Sequence, residues 1–397
     1  MSSKYVSLYS LAEWKNGLAF KQIHFAEQGK PVIRIAELKN GITAQTAYTQ
    51  QSFDESVHLT KGDMVFSWSG NPETSIDVFW YDLPDGWLNQ HIFKVTANED
   101  VHKLYLYYLL KSLKPKFTAI ASNKQTTGLG HVTIKDMKEL MIDLPDYDTQ
   151  RAIGEYLYSI DQKAYINQQI NDNLEQQIRS LFRVRFTDNP ALEKMKQVPL
   201  SDLCQIVTKG TTPTTLGKPF VKSGINFIKA ESILDSHAID KSKFAFIDEE
   251  TNTLLKRSVI KAGDIVFTIA GTLGRFALID KNVLPANTNQ AVAIIRADVE
   301  KVLPEYIYTC FIGEWHNHYY TKRVQQAVQA NLSLTTIKSL PIPLLDESEM
   351  VNFTKLIIPL IKMIKQNEVQ NETLTLMRDT LLPKLMSGEI DVSAVQL

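Results

Sequence analysis

Residues 148–185 read DTQRAIGEYLYSIDQKAYINQQINDNLEQQIRSLFRVR. Apolar side chains recur in this stretch at alternating steps of three and four residues, which is the spacing of one helical face. The face continues for about nine turns, long enough to predict coiled-coil packing against a partner helix. The other faces carry mainly Gln, Asn, Lys and Glu. The apolar positions are Ile153, Leu157, Ile160, Ala164, Ile170, Leu174, Ile178 and Leu181.

The same pattern returns near the end of the chain. Phe353 lies 200 residues after Ile153, and the polar interruptions of the face repeat at the same offset, since Asn367 follows Asn167. Pro359 predicts a kink in this second helix or a delayed start. Further pairs that share the offset are Ile160 and Leu360, Leu174 and Leu374, Leu181 and Leu381, and Asn171 and Asn371.

The segments that precede the two helices repeat as well. GDMVFS from Gly62 corresponds to GDIVFT from Gly263, and Asn89-Gln90 corresponds to Asn289-Gln290. Thr133-Ile134-Lys135 corresponds to Thr336-Ile337-Lys338. Matches that occur in the same order at offsets of 200 to 203 indicate a tandem duplication of a globular domain followed by a long helix.

Each globular segment mixes strand and helix signals, so the predicted fold class is α+β (mixed α/β). PVIRIAEL, DMVFSW and QHIFKV are typical of strands, and HKLYLYYLLKSL is typical of a helix. We expect the two long helices to pack as an antiparallel coiled coil with pseudo-two-fold symmetry, with Asp148 as the N-cap of the first. The predicted boundaries are a first domain 1–147, a first helix 148–187, a linker and second domain 188–345, a second helix 346–390 and a tail 391–397.

Composition limits the class of protein. The chain has 397 residues, 44% of them hydrophobic, and a net charge of −1, so any affinity for nucleic acid must rest on local patches. Cys204 and Cys310 are its two cysteines, which fits a reducing compartment. The N-terminal sequence has no apolar core of signal-peptide type, and no run is long enough for a membrane span. These features predict a soluble cytoplasmic protein.

Two functions fit a duplicated domain on long helices. A helix of about 33 residues is roughly 50 Å long and could hold two DNA-reading domains more than one duplex turn apart. The alternative is a non-catalytic coiled-coil scaffold that presents two copies of a protein-binding domain. Charge placement favours DNA, because three windows contain lysines and arginines but no acids. Their cations are Lys103, Lys111, Lys114, Lys116, Lys124 and Lys135, then Lys209, Lys218, Lys222 and Lys229, and finally Lys322, Arg323 and Lys338.

The candidate DNA-binding residues lie in loops of these windows and after predicted strands. Amide side chains suit adenine, and Arg or Lys suits guanine. For Arg275 a surface salt bridge is the alternative, and for Trp68 it is core packing. The first-domain candidates are Ser67, Trp68, Asn71, Lys124, Gln125, Thr126 and His131, and the second-domain candidates are Lys209, Thr211, Thr212, Thr214, Arg275, Gln326, Gln329 and Asn331.

Motifs for catalysis are weak. GTTPTTLGK from Gly210 has six residues between its glycines, where a P-loop needs four. His316 and His318 point in different directions on a helix, and the two cysteines make no zinc knuckle. We therefore predict no intrinsic enzymatic activity, no bound cofactor and no metal site in this chain.

Over essentially its whole length the chain resembles the specificity subunit of a type I restriction–modification system. The resemblance rests on the duplicated GDMVFS/GDIVFT motif, NQAVAIIRAD, GTTPTT followed by GINFIKAESI, NLSLTTIKSLPIPL and RDTLLPKLMSGEI. It implies that each globular domain is a target recognition domain for double-stranded DNA and that the helices are a spacer. It also implies two methyltransferase subunits that bring S-adenosylmethionine, and two restriction/translocase subunits that use ATP and magnesium.

Overall fold

A computed structural model describes residues 4–125, 128–189, 195–316 and 332–392. The chain divides into two compact units, Met1–Ala164 with Glu372–Leu397, and Tyr165–Asn371. Each unit therefore contains one globular part together with a portion of each long helix. The mixed helix and sheet content and the two long helices confirm the predicted fold class.

The first unit combines helices with short strands that form several small sheets. Its strands are β1 (Lys4–Ser7), β2 (Ala12–Asn16), β3 (Lys30–Ile33), β4 (Tyr48–Thr49), β5 (His58–Leu59), β6 (Met64–Ser67), β7 (Ser69–Gly70), β8 (Asp77–Trp80), β9 (Gly86–Leu88), β10 (Ile92–Ala97), β11 (Gly130–His131) and β12 (Met141–Leu144). Its helices are α1 (Ile35–Asn40), α2 (Lys103–Ser112), α3 (Lys114–Asn123), α4 (Ile134–Glu139) and α5 (Tyr147–Phe182), which continues into the second unit.

The second unit repeats this order. Its strands are β13 (Lys196–Pro199), β14 (Cys204–Lys209), β15 (Ile225–Ile228), β16 (Ala245–Ile247), β17 (Ile265–Thr268), β18 (Phe276–Leu278), β19 (Ala286–Thr288), β20 (Val292–Ala297) and β21 (Pro341–Leu344). Its helices are α6 (Glu249–Leu254), α7 (Pro304–Ile312), α8 (Leu334–Lys338) and α9 (Glu347–Met386), which continues into the first unit.

The sheet topology of the two units is the same at their centres. The main four-stranded antiparallel sheet has the order β2-β10-β6-β8 in the first unit and β14-β20-β17-β18 in the second. A second sheet is built around a parallel pair, β3 with β9 and β15 with β19. A short antiparallel pair closes each globular part, β1 with β12 and β13 with β21. The duplication inferred from sequence motifs is therefore a duplication of structure.

The repeated Gly-Asp motif has the same structural role in both units. In each, the aspartate accepts a hydrogen bond from a backbone amide three residues earlier, Thr60 to Asp63 at 2.8 Å and Lys261 to Asp264 at 2.8 Å. Each aspartate also pairs with a cation on the central strand, Lys94 in β10 or Arg296 in β20. The turn and its ion pair hold the start of β6 and β17 against the next strand of the sheet.

The N-caps of the two long helices are equivalent aspartates. Asp146 caps α5 by accepting the amide of Thr149 at 2.9 Å, and Asp346 caps α9 by accepting the amide of Glu349 at 2.8 Å. These amide donors lower the pKa of both carboxyls. The prediction of Asp148 as the first cap was wrong, because α5 already begins at Tyr147, three residues after the end of β12 at Leu144.

Pro359 does not delay the start of α9, which was one of the two outcomes expected from the sequence. The helix runs unbroken from Glu347 to Met386. Pro359 is exposed. It has no N–H to donate to the carbonyl four residues earlier in the helix, and that carbonyl can bind water instead. Phe353 and Ile357, in the two turns before the proline, are buried and anchor this part of the helix.

Within each unit the portions of α5 and α9 run antiparallel. In the first unit, Arg378 of α9 donates from Nη1 to Oδ1 of Asp161 at 2.9 Å, and Tyr108 of α2 donates its hydroxyl to the other oxygen at 2.6 Å. In the second unit, Asn167 donates to Asn371 at 2.9 Å and Asn367 donates to Asn171 at 2.8 Å. The order of the partners is reversed along the two helices, as antiparallel packing requires.

The asparagines lie on the helical face as its predicted polar interruptions, but two of the apolar residues assigned to that face do not. Asn167 and Asn171 are buried, whereas Ile170 and Leu181, which were assigned to the face, are among the exposed apolar residues. The buried stripe instead passes from Leu174 and Ile178 to Phe182, which is fully buried. The period of the pattern and its polar interruptions were predicted correctly, but the assignment of Ile170 and Leu181 to the buried face was wrong.

We expect the asparagine pairs to be energetically coupled. Replacing Asn167 with leucine removes the bond to Asn371 in a buried layer, and should lower the free energy of unfolding by about 1–3 kcal/mol. A double-mutant cycle with Asn371→Leu should give a coupling energy of at least about 0.5 kcal/mol, measured by urea denaturation. Gln168→Leu is the matched control, because Gln168 makes an exposed bond to Asp172 within α5. Additive effects of the two asparagine substitutions would contradict the coupling.

Candidate nucleic-acid interface

The predicted DNA-binding loops of the first unit meet at one edge of its main sheet. Strands β2 and β6 end there and β10 begins there, with Phe93 opposite Asn16 and Ile92 opposite Ser67. Strand β7 pairs with β11, which places His131 opposite Ser69. The backbone amide of Val132 donates to the carbonyl of Trp68 at 2.8 Å. The Ser67–Asn71 and Lys124–His131 loops, far apart in sequence, are thus neighbours in space.

Trp68 forms the centre of this edge. Its indole Nε1 donates to Oδ1 of Asn16 at 3.1 Å, and its ring lies 5.7 Å from that of His91 and 5.8 Å from that of Phe93. The tryptophan is half-buried, while Asn16 and His91 are exposed. Core packing, the alternative considered for Trp68, accounts for the inner face of the ring, and the outer part stays accessible. We call the group Asn16, Trp68, Gln90, His91 and His131 the first edge.

Two first-domain candidates differ in their exposure. Ser67 is fully buried in β6, so its side chain does not reach a surface where DNA could bind. Asn71 accepts from the amides of Glu73 and Thr74, both at 3.1 Å, and so shapes the turn after β7. Asn71 is nevertheless exposed. Thr126 lies outside the described residues, and its neighbour Gln125 is exposed.

The basic window of the first unit is largely paired with acids from other parts of the chain. Lys111 and Lys114 contact Asp77 at 2.9 and 2.6 Å, and Lys124 contacts Asp136 at 2.5 Å. Burial opposes ionisation of Asp77, but the two ammonium groups outweigh it and hold the pKa of that carboxyl below its ordinary value. The expectation of a free positive patch here was wrong, since an acid-free stretch of sequence says nothing about acids folded against it.

The second unit builds the equivalent edge with different side chains. Ala293 lies opposite Lys209 and Val292 opposite Thr268, so Lys209 occupies the position of Asn16. The amide of Leu332 donates to the carbonyl of Ile269 at 2.9 Å, in the same place as the contact of Val132 with Trp68 in the first unit. The three candidates that precede Leu332 in sequence lie outside the described residues; they are Gln326, Gln329 and Asn331.

The threonine loop after β14 lies against a glutamine that the sequence analysis did not select. Thr212 donates its backbone amide to Oε1 of Gln290 at 3.2 Å, and its hydroxyl also bonds to that oxygen. Arg257 donates from Nη2 to the hydroxyl of Thr211 at 3.4 Å. The exposed side chains of this region include Lys209, Thr214, Arg257 and Gln290. We call the group Lys209, Thr212, Arg257, Ile269 and Gln290 the second edge.

Arg275 is held in the salt bridge that was considered as its alternative role. Its Nε and Nη2 atoms donate to the two carboxylate oxygens of Asp235, both at 2.6 Å. Its Nη1 donates to the carbonyl of Ile233 at 3.3 Å. The guanidinium thus fixes the turn around Asp235, and its role in reading DNA stays a prediction.

Comparison with known proteins identifies the family. The family described as "Type I restriction modification DNA specificity domain" matches residues 2–176 and 192–373. The two matched segments cover most of the chain and one globular part each. The chain belongs to the type I restriction–modification DNA specificity family. This confirms the resemblance inferred from its motifs.

Curated relatives of this specificity-family chain have low sequence identity to it, but the matches extend over most of its length. It is 23% identical to the type I restriction enzyme EcoBI specificity subunit of Escherichia coli over 374 residues, which are 87% of this chain and 77% of the relative. It is 24% identical to the HindI specificity subunit of Haemophilus influenzae, over 72% of this chain and 77% of the relative. The crystal structure of the S subunit from M. genitalium matches with a TM-score of 0.57 at 16% identity, and the match covers 97% and 96% of the two chains.

Sequence reasoning about this specificity-family chain missed Asn16, Gln90, Arg257 and Gln290. A signal for two of them was present, because Asn89-Gln90 and Asn289-Gln290 repeat, but the repeat was interpreted only as evidence of duplication. Within the described ranges, no group of three or more His, Cys, Asp and Glu side chains could hold a metal ion. Across the same ranges, no helix combines the length and apolar character that a membrane crossing requires.

Proposed function

We propose that this chain is the sequence-specific DNA-recognition subunit of a type I restriction–modification complex, in which each globular domain reads one half of a bipartite site. The observation that carries the proposal is that one sheet edge is built twice on the same strand order, with different side chains at equivalent positions. Asn16, Trp68 and His91 in the first unit correspond to Lys209, Ile269 and Ala291 in the second. A shared scaffold with different side chains suits two readers of different sequences.

The edges carry the chemistry that base and phosphate contacts use. The amide of Asn16 and the rings of His91 and His131 can bond to base edges in the major groove. Lys209 and Arg257 are exposed cations on the second edge. Arg257 suits phosphate oxygens, and Lys209 can bond to the edge of a guanine. This local placement reconciles a net charge of −1 with DNA binding.

Chemistry on the DNA would belong to partner subunits. Two methyltransferase subunits would bring S-adenosylmethionine, flip out one adenine in each half-site and methylate it. Two restriction/translocase subunits would use ATP and magnesium for translocation and cleavage. The described residues of this chain supply recognition surfaces and the paired helices, which would set the unread gap between the half-sites. Changing the length of either helix should then change the gap.

A domain exchange tests this proposal. Residues 199–345 would be replaced by the corresponding domain of another family member, and methylated adenines mapped in cells that express the partner methyltransferase. We expect one half of the methylated sequence to be replaced while the other half and the gap are retained. Exchange that leaves the methylated sequence unchanged would contradict the assignment of reading to this domain. A scaffold that displays protein-binding domains would show no salt-dependent DNA binding, even with the methyltransferase present.

A further inference from the structure

The two edges contain positions that are identical as well as positions that differ. Our inference from this comparison rests on the proposed function, in which the two domains read different half-sites. Positions that carry the same residue in both domains cannot produce that difference, whereas positions that differ can. The strand register makes the comparison residue by residue, because Asn16 and Lys209, and likewise Trp68 and Ile269, occupy matching places.

A glycine turn is the first shared feature. Gly17 and Gly210 follow the first strand of each main sheet and donate their amides to the carbonyls of Ile92 and Val292, at 3.1 and 3.4 Å. A Cβ atom at Gly17 would collide with the carbonyl of Asn89, and one at Gly210 with the carbonyl of Thr288. Because glycine has no Cβ, the turn can pack closely against the backbone segment that contains the Asn-Gln pair.

The Asn-Gln pair is the second shared feature. Its asparagine carbonyl accepts the amide of the third residue on, Ile92 at 3.2 Å in the first unit and Val292 at 3.3 Å in the second. The tight turn places Gln90 and Gln290 just before the strands β10 and β20. Gln290 is exposed, and Gln90 is half-buried with its Nε2 atom 3.3 Å from Nε2 of His91. Both side chains reach the surface beside the residues that differ.

The contact with Thr212 orients the amide of Gln290. A backbone N–H can only donate, so the atom of Gln290 that faces Thr212 is the oxygen Oε1. The amide nitrogen Nε2 then points away from Thr212 and can donate its two N–H groups outward. Exposed Lys209 and Arg257 lie in the same loop region, and Arg257 contacts Thr211 next to Thr212. An amide N–H that points outward from Gln290, close to the positive charges of Lys209 and Arg257, is suited to bind an anion.

We propose that Gln90 and Gln290 are the sequence-independent DNA contacts of the two domains, each donating an amide N–H to a backbone phosphate oxygen. Amide side chains are common donors to DNA phosphates, and such contacts fix register without reading sequence. The accessible neighbours that differ then face the bases: Asn16, Trp68 and His91 in the first domain and Lys209 in the second, where Ile269 is buried. Shared residues position the duplex, and different residues read it.

Two substitutions at one position separate a phosphate contact from a base contact. The full chain, in complex with its methyltransferase partner, would carry Gln290→Ala or Gln290→Glu. Binding would be measured to a duplex with the mapped methylation site and to a scrambled duplex. A phosphate contact predicts that Gln290→Ala weakens both duplexes about tenfold, as loss of one hydrogen bond to a charged group does. Gln290→Glu should weaken both further by repulsion, with the methylated sequence unchanged.

A base contact would give a different result. Glutamate accepts from the amino group of cytosine, so Gln290→Glu would shift the preferred base at one position of the second half-site. That shift, or unchanged binding by Gln290→Ala, would overturn the inference. Gln90→Ala should behave as Gln290→Ala does, whereas His91→Ala should change base preference in the first half-site alone. Failure of the proposed function itself would be recognised separately, because the wild-type complex would then bind both duplexes equally.

Discussion

Replacing Arg296 with methionine is expected to lower the free energy of unfolding of the second main sheet by about 3–5 kcal/mol, the range for breaking a buried ion pair. Arg296 donates from Nε and Nη2 to the two oxygens of Asp264, at 2.7 and 2.6 Å, and from Nη2 to the carbonyl of Val259. The carboxylate is only 1% exposed, so methionine would leave it buried without its countercharge. Hydrogen exchange of the amides in β17 and β20 measures the loss.

The first unit supplies a matched control. Lys94 and Asp63 form the equivalent pair at 2.9 Å, but both side chains are about one-fifth exposed, at 22% and 21%. Water can therefore solvate Asp63 after Lys94→Met, and the expected loss is about 1 kcal/mol. Equal losses from the two substitutions would contradict the view that burial decides the strength of the Gly-Asp ion pair.

Replacing Phe186 with alanine is expected to cost about 3–5 kcal/mol in the second unit, the usual range for removing a buried aromatic ring. Phe186 lies in a π-helical turn, Arg183–Thr187, that continues α5. Its ring is fully buried and stacks on Phe182 with centroids 4.5 Å apart. It also contacts Phe353 of α9 edge-on at 5.4 Å and Tyr306 of α7 at 6.2 Å. The ring thus joins both long helices to the globular part of the unit.

The measurement is urea denaturation followed by tryptophan fluorescence, because Trp315 packs edge-on against Phe182. Leu181→Ala is the matched control on the same helix. Leu181 is 37% exposed, and its truncation should cost less than about 1 kcal/mol. A large loss of unfolding free energy in Leu181→Ala together with a small loss in Phe186→Ala would contradict the structure. It would instead support the prediction from sequence that Leu181 lies on the buried face.

The sequence was sufficient for the architecture because repetition and period are local properties of a chain. The duplicated motifs predicted two equivalent domains, and the three-and-four spacing predicted both long helices. The exposure of Ile170 could not be predicted, because nothing in the sequence says that Asn167 and Asn171 have amide partners on another helix. Ile170 looked like the better core residue only while those partners were unknown.

The candidate site was predictable only in part for a related reason. The two loops around Ser67 and His131 were selected separately, and the pairing of β7 with β11 joined them. The partner of Arg275 is Asp235, 40 residues earlier, and the partner of Lys111 is Asp77, 34 residues earlier. Such pairings depend on topology rather than on spacing. Gln290 was overlooked because its value as a donor comes from Thr212, which orients it.

The central claim is that two domains of one chain read two separate half-sites at a fixed distance. Selection of bound duplexes from a randomised DNA library, with the full chain in complex with its methyltransferase partner, tests it most directly. We expect the selected duplexes to share two short specified blocks separated by an unspecified gap of one length. A single contiguous block, or two blocks at variable distances, would contradict the claim.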